Sequence, residues 1–120
     1  MAKRNEFIAY LLELLEPLGA VKAKGMFGGF GIYRQELMFG LVSEDTLYLK
    51  ADDQNRRDFE SRDLGPFTYT RKGKEMSMSY FQVPPEVLDQ GDELCMWAQR
   101  AWDAACRAAQ KKSTKNQKKK

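Results

Sequence analysis

The chain contains no histidine and only two cysteines among its 120 residues. Without His it cannot assemble Ser-His-Asp or Cys-His catalysis, and it lacks the commonest transition-metal ligand. Cys95 and Cys106 fall in one expected helix, eleven positions apart. That spacing is about 16 Å along a helix axis, far beyond the ~7 Å Cα separation a disulfide tolerates. Both are expected to be reduced thiols with packing roles. Long apolar runs are missing too: the best stretch, Phe7 to Leu15, is short and broken by Glu13. No membrane span is expected. The start, Met1 to Glu6, is basic, but the apolar segment behind it contains acids and no small-residue cleavage site. A signal peptide is therefore not expected, and the reading is a soluble cytoplasmic protein.

Acids are absent from one end. Gln110 to Lys120 holds six lysines and no Asp or Glu, so the formal charge of +3 conceals a body with 14 basic and 17 acidic residues. The basic character belongs to the tail. A Lys-rich end with Ser, Asn and Gln cannot bury apolar surface, so residues 110–120 are expected to be a disordered tail behind a single domain, 1–109.

The body reads as alternating helix and strand patterns. Asn5 is placed to cap a helix to about Leu18, with Phe7, Ile8, Leu11, Leu12 and Leu15 on one stripe and Pro17 and Gly19 ending it. Ala20 to Phe27 reads as a first strand. Asp52 or Asp53 is placed to cap a short helix anchored by Phe59. Phe67 to Arg71 and Glu75 to Val83 read as a hairpin around Lys72-Gly73-Lys74, and Pro84-Pro85 breaks it. Asp92 is placed to cap a last helix to about Gln110, whose buried stripe holds Leu94, Trp97, Ala98, Ala101, Ala105 and Ala108. Trp97 is expected to meet the sheet near Phe30 or Phe39.

Between these elements lies the most structured stretch, Lys24 to Lys50. Met26 to Tyr33, Leu37 to Val42 and Leu47 to Lys50 are short aromatic or branched runs, divided by Gln35-Glu36 and by Ser43-Glu44-Asp45. Such punctuation marks consecutive antiparallel strands. The same residues resemble a known family. The MFGGFGIY of 26–33, the MFGLV of 38–42, the LYLK of 47–50, the KGK of 72–74 and the MSY of 78–80 are similar to the N-terminal domain of the TfoX/Sxy competence regulators. The likeness runs from about Val21 to Ala108. It implies a two-layer α+β fold, an antiparallel β-sheet packed against N- and C-terminal helices, and a regulatory rather than an enzymatic role. Longer members carry a C-terminal helical domain, and no counterpart of it is expected after Ala109.

Other motifs yield to simpler explanations. The glycines at 25, 28, 29 and 31 lead into Ile32-Tyr33, a strand, whereas a phosphate loop opens a helix. Gly73-Lys74 is followed by Glu75 instead of the Ser or Thr that would hold magnesium. The acids at 44–45 and 52–53 lack the alternating oxygen ligands of a calcium loop. No cofactor or metal is expected. Phe27, Phe30, Tyr33, Tyr48, Tyr69, Tyr80 and Phe81 would form a stacking surface only if exposed, and most are expected in the core.

Two functions follow. The first is a non-enzymatic protein-interaction module in transcription regulation, with Lys24, Met26, Phe27, Arg71, Lys72, Lys74 and Tyr80 as the candidate surface. The second is nonspecific nucleic-acid binding through the Arg71–Lys74 turn and the tail lysines Lys111, Lys112, Lys115, Lys118, Lys119 and Lys120. A homodimer is left open.

Overall fold

The computed structural model describes the backbone of residues 2–26 and 29–118 and the side chains of residues 6–25 and 29–111. Six strands form one antiparallel sheet: β1 (Val21–Met26), β2 (Gly29–Arg34), β3 (Leu37–Ser43), β4 (Thr46–Lys50), β5 (Pro66–Arg71) and β6 (Lys74–Gln82). Their order across the sheet is β1-β2-β3-β4-β6-β5, so β1 and β5 are its edges. Helices α1 (Ala2–Leu14), α2 (Arg56–Glu60) and α3 (Gly91–Lys118) complete the two layers. Among the described residues no helix is long and apolar enough to cross a membrane.

The strands alternate cleanly enough to assign faces. Leu47 and Leu49 are buried while Tyr48 between them is half-exposed, and Val42 and Ile32 lie on the buried side with them. That side meets the helices. Phe59 of α2 packs edge-on against Trp97 of α3, with ring centroids 5.0 Å apart, and also touches Phe81 at 5.6 Å. Ile8, Leu11 and Leu15 close the same core from the first helical segment. The core is thus one apolar layer between sheet and helices, the burial that stabilises a domain this small.

Several expected boundaries shift, each for a local reason. The first helix begins at Ala2, ahead of Asn5, because Ala, Lys and Arg are good helix formers. It stops at Leu14 and a 3₁₀ turn, Glu16–Leu18, follows with Pro17 inside it. Gly19 then leaves at φ 84°. Position Asn55, not Asp52 or Asp53, flanks α2. Asp52 is otherwise engaged: its Oδ1 accepts the Gln54 N–H, and its carboxylate grips Arg107. Helix α3 starts at Gly91, one residue before the expected Asp92 cap. Its backbone continues to Lys118, past the expected end at Gln110, since no Gly or Pro follows Gly91.

The aromatic contacts also differ from expectation. Trp97 meets Phe59, and it is Trp102 that meets Phe39, edge-on at 6.0 Å. A bulge explains the second contact. Ile32 pairs with Gly40 but Tyr33 pairs with Met38, so Phe39 is the extra residue and its ring is fully buried. Gly40 lets this happen, because a methyl there would press on the Ile32 Cβ at 3.1 Å.

Candidate functional site

The helical residues of the core pack with Ile32, Val42, Leu47 and Leu49 on one side of the sheet. Among the described residues no helix joins that cluster from the other side, where Leu41, paired with Tyr48, is nonetheless buried. The register fixes which residues stand on that second face. Lys22 pairs with Tyr33, Lys24 with Gly31, and Tyr48 with Gln82. Phe67 packs edge-on against Tyr48 at 5.1 Å and stacks with Tyr69 at 6.4 Å, which puts β5 aromatics on the same side. Tyr69 pairs with Met76, and Arg71 with Lys74. An aromatic strip, Tyr48–Phe67–Tyr69, therefore crosses from the middle of the sheet to its β5 edge. Its outer end is the most open part: Tyr69 and Met76 are 38% and 41% exposed.

Beyond the strip's inner end, two further tyrosines of this face carry cations. The Lys24 ammonium lies 4.9 Å from the centre of the Tyr33 ring, and the Lys50 ammonium 5.3 Å from that of Tyr80. Tyr80 is buried, and its hydroxyl donates to the Met38 carbonyl at 3.3 Å, reaching across the sheet. Burial, reinforced by Tyr33 nearby, pushes the Tyr80 hydroxyl up to about 12. Burial and then Glu44 also raise Tyr48 above the usual tyrosine value. Both phenols stay neutral donors at physiological pH.

The charge on this face is one-sided. Lys22, Lys24, Lys50, Arg71 and Lys74 occupy its strand positions. Glu75 is the one acid within the six strands. It pairs with Thr70, so it stands on the opposite side from Tyr69 and Met76. The other nearby acids, Glu36, Glu44 and Asp45, sit in hairpin turns at the sheet's ends. A body with more acids than bases thus presents a sheet face whose strands carry only cations.

Of the expected surface residues, Lys24, Arg71 and Lys74 belong to this face, and Lys72 occupies the turn beside it. Tyr80 belongs to it as a buried support. Met26 ends β1, its backbone paired with Gly29. The Met26 side chain and all of Phe27 lie outside the described residues. In the tail, Lys111 is exposed. Lys112, Lys115 and Lys118 lie on the α3 backbone with side chains outside the description, as do Lys119 and Lys120 entirely. Sequence reasoning did not include Lys22, Lys50, Phe67 or Met76 in the surface. The period-2 alternation of Leu47-Tyr48-Leu49-Lys50 was the available signal for Lys50.

Among the described residues no cluster of three potential metal ligands occurs. Cys95 and Cys106 are free and half-buried. The Cys95 thiol donates to the Leu14 carbonyl at 3.2 Å, and burial, then Asp92, raises its pKa.

The fold and its uncovered face define a two-layer α+β domain whose sheet is backed by helices on one side. Residues 13–105 match the TfoX N-terminal domain, and the chain belongs to that family. It is 26% identical over 104 residues to Protein Sxy of Escherichia coli, covering 87% of this chain and 48% of Sxy. It is 29% identical over 69 residues to the DNA transformation protein TfoX1 of Aliivibrio fischeri, covering 58% of this chain and 33% of TfoX1. The chain therefore spans half or less of the length of these relatives.

Proposed function

We propose that this domain is a non-enzymatic regulatory module that works in the cytoplasm by binding a protein of the transcription machinery. The observation that carries the reading is the uncovered sheet face, where an exposed Tyr69–Met76 pair continues an aromatic strip. Tyr, Met and Arg are the side chains over-represented in protein interfaces. Membership of the TfoX N-terminal domain family supports a regulatory role, as does likeness to a protein named for DNA transformation.

The test is transcript profiling after deletion of the gene and complementation with wild type or with Tyr69→Glu/Met76→Glu. A module acting through this face predicts a defined gene set lost on deletion and restored by wild type. The double variant should accumulate normally and fail to restore it. Unchanged transcripts on deletion, or full rescue by the variant, would overturn the reading.

A further inference from the structure

We propose that the uncovered face takes an acidic, extended segment of a partner polypeptide, laid across the strands with apolar side chains on the Tyr48–Phe67–Tyr69 strip. The proposal rests on the regulatory-module reading and adds the chemistry of the partner. Three observations carry it. The strands contribute Lys22, Lys24, Arg71 and Lys74 to this face, with Lys50 engaged by Ser79 and Tyr80, and no acid. Glu44 acts on Tyr48 from the β3–β4 turn but is outnumbered, so the surface favours negative charge. The cations are distributed across it: Lys22 and Lys24 stand on edge strand β1, and Arg71 and Lys74 at the end of the β5–β6 hairpin. Tyr69 and Met76 leave an apolar patch between the cationic ends.

The geometry favours polypeptide over single-stranded nucleic acid, which also likes cations and aromatics. Base stacking needs open ring faces. Here Tyr33 and Tyr80 are already capped by lysine ammonium groups, and Tyr48 packs edge-on against Phe67. What stays open is the Tyr69–Met76 pair, suited to aliphatic or aromatic side chains. Six strands at ordinary spacing are about 24 Å across, and Lys74 lies six residues, about 20 Å, along β6 from the Tyr80 that pairs with Lys50. The diagonal between the cationic ends is therefore about 31 Å, the reach of about nine extended residues. The matching segment therefore has Asp or Glu near both ends and two or three apolar residues between.

The experiment uses the full chain and three fluorescein-labelled probes. One is a pool of twelve-residue peptides with Leu or Phe at the centre and Asp/Glu flanks. The second is the same pool with Ser/Asn flanks, and the third is a twelve-nucleotide oligothymidylate. Fluorescence polarisation gives affinities, and amide chemical-shift mapping gives location. The acid-flanked pool should bind roughly ten-fold more tightly than the Ser/Asn pool, with shifts centred on Tyr48, Tyr69 and Met76. Lys24→Glu and Arg71→Glu, both exposed positions checked for folding by circular dichroism, should each weaken it, and Lys/Arg flanks should restore binding to the double variant. Equal affinity for the Ser/Asn pool, tighter binding of the oligonucleotide on this face, or shifts confined to α3 would each overturn the proposal. Those results strike the partner's chemistry alone, because the regulatory reading stands or falls on the transcript profile.

Discussion

Single residues decide how tightly this sheet is built. Three hairpins turn on pairs with positive φ at both positions: Gln35-Glu36 (51° and 67°), Glu44-Asp45 (51° and 60°) and Lys72-Gly73 (54° and 78°). These are the φ values of type I′ turns, which suit the twist of the strands but strain side chains larger than Asn or Gly. Glu36→Gly should therefore stabilise the protein by about 0.5–1 kcal/mol, measured as a shift of the urea midpoint at unchanged slope. A lower midpoint would mean that Glu36 contributes a contact that outweighs its backbone strain. Gly29 is the opposite case. A methyl there would collide with the Val42 carbonyl oxygen, while one at Gly25 meets nothing within 4 Å. Gly29→Ala should cost about 1–3 kcal/mol and Gly25→Ala should be neutral or slightly stabilising. Equal effects at the two sites would contradict the pairing of β2 with β3.

Also at this scale, Asp52 clamps the β4–α2 connection to α3. Arg107 donates to it from Nε at 2.6 Å and from Nη2 at 2.9 Å, and Asn55, buried alongside, bonds the Lys50 carbonyl and the Asp52 N–H. The Arg107 hydrogen bonds hold the Asp52 carboxyl at about 2, against 3.8 for a free carboxyl, with burial opposing them. A folded-state value below the unfolded one means the stabilisation is complete above about pH 4 and fades as pH falls towards 2. The pair is partly hydrated, so its contribution is on the order of 1–2 kcal/mol. Asp52→Asn should be less stable than wild type by that amount at pH 7 and equal to it near pH 2. A stability difference that does not change with pH would show that the clamp acts through packing alone.

Among elements, α2 is the one whose existence depends most on others. It spans five residues, too few to be stable alone, and is held by Phe59 between Phe81 and Trp97. Trp97→Ala should therefore cost about 3–5 kcal/mol in denaturant unfolding. Met96→Ala, at a residue 54% exposed on the same helix, should change stability by less than about 0.5 kcal/mol. Comparable losses would mean that α3 is rotated from the orientation described. The six strands were legible because short apolar runs were divided by turn pairs, and Phe59 was legible as a lone anchor. The partners of Trp97 and Trp102 were not. The Phe39 bulge shifts register by one residue, and nothing in the local alternation of Leu37 to Val42 announces it. The first-helix start was missed because Asn5 is a good cap only where the preceding residues resist helix, and Ala2-Lys3-Arg4 do not.

At the scale of the whole molecule, the candidate site was legible in part. Lys24, Arg71 and Lys74 stood out as cations near turns and strand ends. The face they share could not be read, because it depends on β6 lying between β4 and β5, a crossover no local pattern encodes. That arrangement is what brings Tyr48 to Phe67 and makes one strip of residues from distant strands. Apart from Glu75 on the opposite side of β6, the body's acids lie in turns, the β4–α2 connection and the helices, while the strand positions of this face carry only cations. Function on this account is a property of one side of the sheet.

Site-specific photo-crosslinking in the native cell tests that claim most directly. A benzophenone amino acid would replace Tyr69 on the sheet face in one strain and Met96 on α3 in another, both exposed apolar positions. Irradiation should give a discrete protein adduct from position 69, absent from position 96 and lost when Arg71→Glu is added. Adducts from position 96 alone, or nucleic acid instead of protein at position 69, would contradict the account.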